Sequence, residues 1–420
     1  MNNLGIIRAD ERSGLLKSIG TVLLLTVLMV GGCLAVAYGL MNSEENRGPF
    51  LFRNAVADLD GDGDLDVVVH AARFETEMTV FSGVTLYFNT GDGKFIRVVP
   101  EMGSAGADAA DVDSDGDVDI VTLASDQLTV FLNQGGARGT AEGVFKRNKP
   151  ILPPVKVPEG LGMMGSLTLG DLNNDGLPDG FAAGCCGISH PQLTSSGEYA
   201  KPFSWVWINR WDPTEWAVLD TLALPFLDGV PVAAAVFGDL DGDGVQDVYA
   251  AVRTPKPGRS SDPGDRVLLN DGAGNLRDSG QRLGAFDSTS AALGDVDGDG
   301  DLDALVGTPR GAVVWLNQGE GKFQEAEKNL PGKDTGAVFL HDLDGDGDLD
   351  ALLGGSRQAA VWWNDGRGDF SQAGPSLSIS DREGLALGDF NGDGRTDVFI
   401  PFYGGGYRVW WNEDRVTSGD

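Results

Sequence analysis

The sequence predicts an all-β protein, a seven-bladed β-propeller behind an N-terminal transmembrane (signal-anchor) helix. Three observations carry that prediction. A nine-residue Asp-rich pattern, D-x-[DN]-x-D-G-x-x-D, recurs seven times. A hairpin pattern, Asn followed by a Gly-rich turn, also recurs seven times and alternates with the first. Short apolar runs fill the intervals, and about four short strands per repeated unit is the signature of propeller blades. The Asp patterns start 47 to 68 residues apart, which is room for such a blade.

In chain order, residues 1–18 are polar, carry Arg8, Arg12 and Lys17, and read as a cytoplasmic tail. Residues 19–41 are 23 uncharged, mostly apolar residues. At 1.5 Å per residue such a run spans a hydrocarbon core of about 30 Å. Three cations precede it and only Arg47 closely follows, which keeps the N-terminus inside and sends the rest across the membrane. Two alternatives stand beside the anchor. One is a cleaved signal peptide with Ala35-Val-Ala37 as its small-residue cleavage site, and the other is lipidation at Cys33 of Val30-Gly-Gly-Cys33. All three place the remainder outside the cytosol, periplasmic or extracellular. Residues 42–47 are then a linker, 48–416 the propeller and 417–420 a tail.

The Asp patterns have the composition of a cage for a hard cation. In the sixth, Asp342-Leu-Asp-Gly-Asp-Gly-Asp-Leu-Asp350, oxygen side chains stand at positions 1, 3, 5 and 9, and Gly347 at position 6 allows a sharp turn. Ca²⁺ takes six to eight oxygen ligands at about 2.3 to 2.6 Å, whereas Mg²⁺ demands a small octahedron and keeps its waters, so the pattern suits Ca²⁺. The predicted side-chain ligands are Asp58, Asp60, Asp62 and Asp66 in the first copy, and Asp111, Asp113, Asp115 and Asp119 in the second. The third offers Asp171, Asn173, Asp175 and Asp179, and the fourth Asp239, Asp241, Asp243 and Asp247. Asp295, Asp297, Asp299 and Asp303 form the fifth, Asp342, Asp344, Asp346 and Asp350 the sixth, and Asp389, Asn391, Asp393 and Asp397 the seventh. Position 7 would give its main-chain carbonyl, from Asp64, Asp117, Leu177, Val245, Asp301, Asp348 and Arg395. Up to seven structural Ca²⁺ ions are therefore expected. A cage without its cation repels itself, since two like charges about 4 Å apart cost roughly 4 kcal/mol at an effective dielectric near 20. An EF-hand would need Glu at position 12, and that position holds Val69, Thr122, Ala182, Ala250, Val306, Leu353 and Ile400.

The hairpins end in Asn89, Asn133, Asn209, Asn270, Asn317, Asn364 and Asn412. Two residues before each stand Tyr87, Phe131, Trp207, Leu268, Trp315, Trp362 and Trp410. An aromatic row repeated in every unit points to packing between blades rather than to sugar stacking. After Asn412 no Gly-x-Phe strand follows, whereas residues 48–53 supply one ahead of the first cage. That strand is expected to complete the seventh blade and remove the free sheet edge.

With these residues in hand the chain resembles the FG-GAP and VCBS repeat family, whose best-known members are the propeller heads of integrin alpha subunits. The resemblance covers about residues 48 to 416 and rests on loops such as Asp239-Leu-Asp-Gly-Asp-Gly-Val-Gln-Asp247. Integrin heads carry such loops in only some blades; all seven carry one here, as in the bacterial repeat proteins. The resemblance implies calcium-stabilised structure and extracellular binding, and the family also contains polysaccharide-active enzymes.

The net charge of -32 excludes nucleic acid as a partner. In up-and-down blades the cages and the Asn hairpins share one rim, so the second loops lie on the other. Those loops are long only at residues 71–83, 182–204 and 253–266, and long loops on a rigid scaffold are where function tends to sit. The linker places the cage rim toward the membrane and the long loops away from it. Cys185 and Cys186 suit a vicinal disulfide, free thiols, or a metal site with His190; Trp205, Trp211 and Trp216 suit an apolar recognition patch or blade packing. His70, expected to close a strand, and His341, beside a cage, read as structural, and no nucleophile elbow or phosphate loop occurs. The expectation is a non-enzymatic module, with no catalytic residue assigned, that binds a protein or glycan through the loops opposite the cages, as an adhesion or scaffold element. The alternatives are a fixed accessory subunit of a membrane complex and a calcium-dependent carbohydrate-active enzyme, a polysaccharide lyase or hydrolase.

Overall fold

A computed structural model describes residues 54–412 apart from 77–78, 104–105, 125–126, 136–144, 148–163, 186–201, 211–217, 255–263, 373, 375, 380–383 and 403–404. Seven antiparallel meanders follow one another in chain order. Blade 1 contains β1 (Ala55–Ala57), β2 (Asp66–Thr76), β3 (Thr79–Asn89) and β4 (Phe95–Val98); blade 2 contains β5 (Gly106–Ala110), β6 (Asp119–Ala124), β7 (Gln127–Asn133) and β8 (Phe145–Arg147). Blade 3 runs β9 (Met164–Gly170), β10 (Asp179–Cys185), β11 (Phe203–Arg210) and β12 (Val218–Ala223), and blade 4 β13 (Val232–Gly238), β14 (Asp247–Val252), β15 (Arg266–Asn270) and β16 (Leu276–Asp278). Blade 5 has β17 (Ser290–Gly294), β18 (Asp303–Thr308), β19 (Gly311–Asn317) and β20 (Phe323–Glu325), with β21 (Leu330–Pro331) pairing β19. Blade 6 has β22 (Ala337–His341), β23 (Asp350–Gly354), β24 (Gln358–Trp362) and β25 (Ser376–Ser378); blade 7 shows β26 (Ala386–Gly388), β27 (Asp397–Pro401) and β28 (Tyr407–Trp410).

The strands form where the apolar runs lie, and they are buried because blades stack face to face. The second strands are the clearest case: every residue of β14 and of β18 is buried, as a continuous apolar run requires when both faces of a sheet are covered. The core is accordingly divided into seven clusters, one in each gap between successive blades. Tyr87, Phe131, Trp207, Leu268, Trp315, Trp362 and Trp410 each enter a different one of these clusters. The repeated aromatic row is blade packing. Trp205 is also buried, in the gap between blades 2 and 3, so it belongs to no surface patch.

The gap between blades 7 and 1 is filled by Val67, Val69, Tyr87 and Phe95 against Ala386, Phe390 and Phe399, with Phe95 edge-on to Phe399 at 4.7 Å. The Asn54 N–H donates to the Leu385 carbonyl at 3.1 Å. These contacts close the ring. The predicted closing strand at residues 48–53 lies outside the described residues, as do residues 19–41. Among the described residues no helix is long and apolar enough to cross a membrane.

Two expectations fail. Of residues 71–83, expected as a loop, 71–76 and 79–83 are the two sides of a β-ribbon: β2 and β3 stay paired from Ala71 with Gly83 out to Thr76 with Thr79. The ribbon is compatible with the β-branched and aromatic residues on both sides, Phe74 and Thr76 on one and Thr79, Val80 and Phe81 on the other. His70 consequently lies within β2 instead of ending it, and burial holds its pKa down at about 4.

Candidate metal centres

Each cage sits between the first and second strand of its blade, and the second strand starts at position 9 in all seven. Three sets of hydrogen bonds shape the loop. The position 6 Gly N–H donates to the position 1 carboxylate in every blade, over 2.7 to 3.1 Å. The position 7 N–H donates to Oδ1 of position 5, over 2.9 to 3.0 Å. The position 2 N–H donates to Oδ2 of position 9, over 2.8 to 3.1 Å.

This winding needs two left-handed residues. Position 6 is Gly throughout, with φ between 85° and 98°, and position 4 has φ between 56° and 80°. Gly fills position 4 in five blades, with Ser114 and Asn174 in the second and third. Position 4 was a legible signal in the sequence, since Gly and Asn are the residues that tolerate this region; the pattern as read there used position 6 alone.

The winding brings the acids together. Ligand oxygens of Asp58, Asp60 and Asp62, of Asp111, Asp113 and Asp115, and of Asp295, Asp297 and Asp299 lie within 4.8 Å of one another. So do those of Asp239, Asp241 and Asp247, and of Asp342, Asp344 and Asp350, where position 9 joins the group. The Oδ1 of Asp241 is shut off from solvent and accepts no hydrogen bond. An inward, unsatisfied carboxylate oxygen among hard oxygen donors is the environment that a metal cation completes. Cages 3 and 7 differ: the Nδ2 of Asn173 donates to Asp175 at 3.0 Å and that of Asn391 to Asp393 at 3.2 Å, so an amide supplies part of the neutralisation there.

The electrostatics agree. Burial, then the neighbouring carboxylates, push the position 3 groups Asp113, Asp241, Asp297 and Asp344 above the usual range. Burial raises Asp66, Asp119 and Asp303 to about 7, and Asp179, Asp247 and Asp350 to about 6, against the pull of the two backbone N–H groups that each accepts. Asp397 shifts the same way for the same reason. These seven carboxylates are poorly solvated anions, which a cation in the cage would stabilise.

The sequence reading missed the role of the hairpin Asn. Its N–H donates to Oδ1 of position 9 in its own blade, over 2.7 to 2.9 Å. Its Nδ2 donates to the position 2 carbonyl of the preceding blade's cage, over 2.6 to 2.8 Å. Asn209, for example, reaches the Val112 carbonyl, and Asn89 reaches the Phe390 carbonyl across the closure of the ring.

Seven cages of one design, each tied to the next blade, make the repeat unit run from one cage to the following one. The family model for FG-GAP-like repeats matches in that way, at residues 58–122, 111–182, 239–306, 295–353 and 342–400. The chain belongs to the FG-GAP-like repeat family. Each match starts at position 1 of one cage and ends at position 12 of the next. No curated protein matches the sequence. Among solved structures the FG-GAP propeller is similar to BBS1N in its complex with ARL6DN, with a TM-score of 0.51 at 11% identity, covering 88% of this chain and 96% of that one. It is similar as well to PpgL, the periplasmic gluconolactonase of Pseudomonas aeruginosa, with a TM-score of 0.50 at 15% identity over 78% and 85% of the two chains. An N-acetylglucosamine-recognising Agrocybe aegerita lectin matches at 0.47 and 20% identity over 80% and 82%. At these identities the likeness is one of fold.

Of the other residues singled out in the sequence, His341 donates to or accepts from Thr396 at 2.9 Å, between blades 6 and 7. Cys185 ends β10, while Cys33, Cys186, His190, Trp211 and Trp216 lie outside the described residues.

Proposed function

We propose that this protein is a non-enzymatic binding propeller, stiffened by Ca²⁺ in up to seven cages and held outside the cytoplasm by residues 19–41, that takes a protein or glycan ligand on the rim opposite the cages. The observation that carries the reading is the contrast between the two rims. One rim repeats a single hydrogen-bonded cage in every blade. On the other, blade 5 turns tightly, with Thr308 paired to Gly311, whereas blade 1 extends its ribbon to the Thr76–Thr79 pair. In blades 3 and 4 the chain between the second and third strands is longer, from Cys185 to Phe203 and from Val252 to Arg266. Identical elements serve stability, and differing ones on a rigid frame serve recognition. The complex of BBS1N with ARL6DN supports protein binding by a propeller of this fold.

Calcium suits this placement because oxygen cages of this kind fill where the ion is millimolar. The test replaces residues 72–82 with a two-residue turn like that of blade 5 and compares glycan-array binding and cross-linking at the cell surface with those of the unaltered chain. The expected result is an unchanged melting temperature with loss of the ligand. Binding that survives, with cross-links mapping to the cage rim, overturns the assignment of the face, and turnover of an acidic polysaccharide overturns the non-enzymatic reading.

A further inference from the structure

The hydrogen bonds around the cages do more than fix each loop separately. Starting from Asp66, Oδ2 accepts the Leu59 N–H at 2.8 Å, and the Leu59 carbonyl accepts Asn133 Nδ2 at 2.8 Å. The Asn133 N–H donates to Asp119 Oδ1 at 2.7 Å, and Asp119 Oδ2 accepts the Val112 N–H at 2.9 Å. The same four steps repeat through Asn209 and Asp179, Asn270 and Asp247, Asn317 and Asp303, Asn364 and Asp350, and Asn412 and Asp397. Asn89 then accepts the relay from blade 7: its Nδ2 donates to the Phe390 carbonyl at 2.8 Å, and its N–H returns to Asp66 Oδ1 at 2.7 Å. The belt has no end. It passes through one carboxylate, the N–H and carbonyl of one position 2 residue, and the backbone N–H and Nδ2 of one Asn per blade, always in the same rotational sense.

We propose that this belt couples the seven cages, so that they fill with Ca²⁺ cooperatively instead of one by one. The proposal rests on the calcium reading above and adds to it the Asn as a positioning residue for the neighbouring cage. A cation at position 9 draws electron density from a carboxylate that already accepts two N–H groups, and so shifts the position 2 peptide on one side and the Asn on the other. The shift passes along the belt as a displacement of these residues, since saturated carbons separate the two hydrogen-bonding groups of each position 2 residue and of each Asn. Each position 2 carbonyl holds the Asn of the next blade, and that Asn holds the next position 9 carboxylate. Ordering one cage therefore lowers the conformational entropy that its neighbour must lose on binding, which makes the coupling positive. Oδ1 of the Asn is occupied separately: those of Asn89, Asn133, Asn270 and Asn317 accept the N–H of the Gly two residues on. An Asn→Asp change thus keeps the turn acceptor and removes the donor across the blade gap, together with the second hydrogen bond that Nδ2 of Asn133, Asn270, Asn317 and Asn364 makes to the position 8 carbonyl of its own blade, and it leaves a carboxylate facing both carbonyls.

Native mass spectrometry of the full chain, titrated with Ca²⁺ to half loading, reads the coupling directly. Independent sites, equal or unequal, give a single peak of ion counts near the middle of the range. Coupled sites give two populations, nearly empty and nearly full. The expected result is two populations for the unaltered chain, a partial filling-in of the middle for N317D, and a single central peak for the triple variant N133D/N270D/N364D, in which alternate links are cut. An Asn that served stability alone would lower the melting temperature and leave the shape of the distribution as it was. A single central peak reaching seven ions in the unaltered chain overturns the coupling while sustaining calcium binding. Two populations persisting in a folded triple variant overturn the belt as its carrier. No bound ions at all overturns the calcium reading itself, and the coupling with it.

Discussion

Asp265 is the most buried acid outside the cages, and it shows how far this fold goes to satisfy a carboxylate. Its Oδ1 accepts the Val252 N–H at 2.7 Å, and its Oδ2 accepts the hydroxyls of Tyr249 and Ser288, each at 3.1 Å. Burial nonetheless raises its pKa from the ordinary 3.8 to about 6, against those hydrogen bonds and nearby Arg266. The folded chain therefore holds a proton that the unfolded chain has already lost. Its contribution to stability is present in full below the ordinary value and disappears as pH rises through about 6. Comparing the unaltered chain with Asp265→Asn by denaturant unfolding, the difference should move against the Asp by about 2 kcal/mol between pH 4 and pH 6.5, at 1.36 kcal/mol per pKa unit. A flat difference across that window would place the carboxylate in a better solvated site than the structure shows. The sequence offered no sign of Asp265, because a single Asp in a variable loop carries no pattern; what buries it is the packing of blade 5 against blade 4.

At the scale of the element, the junction between the first strand and its cage is constrained by the neighbouring blade. The residue before position 1 is Gly in four blades, and a Cβ there would strike a side chain of the next blade. At Gly294 it would come within 2.5 Å of Leu349 Cδ1, and at Gly238 within 2.7 Å of Leu302 Cδ1, both at position 8 of the next cage. Blade 6 has His341 at this point, and there position 8 of the following blade is Thr396, which hydrogen-bonds to it. Small faces large, and His faces Thr. Gly294→Ala should cost about 1 to 3 kcal/mol by overpacking, and Leu349→Ala should cost less in that background than alone. A coupling of about 0.5 kcal/mol or more between contacting sites is the measurable quantity; additive effects in thermal unfolding would show that the two blades do not meet here. The sequence displays the Gly and the Leu, but 55 residues separate them, and only the stacking of blades brings them together.

For the whole molecule the consequence is that stability is distributed around a ring. Seven interface clusters and seven cages alternate, so no blade has a core of its own. The seven acidic sites also concentrate repulsion on one rim, which a bound cation would relieve. An ion that binds only the folded state adds about 2.7 kcal/mol per site at a hundred times its dissociation constant. Chelation at neutral pH should therefore lower the melting temperature markedly and broaden the transition, and Ca²⁺ should restore it better than Mg²⁺. An unchanged melting temperature after chelation would show that the cages hold themselves together without an ion.

The sequence by itself determined the seven units, the cage positions, the hairpins and the aromatic row, because each is a local pattern repeated until chance is excluded. Local rules of turn and strand formation act within a few residues, and the cages and hairpins obey them. Only the tertiary structure decided that the hairpin Asn serves the preceding blade, that β2 and β3 extend into a ribbon, and that Trp205 is core. Those facts depend on which blades become neighbours and how closely they stack, and spacing along the chain does not encode that. The closed hydrogen-bond belt is the clearest case: every residue in it stands in plain view in the sequence, and its continuity exists only once the seventh blade meets the first.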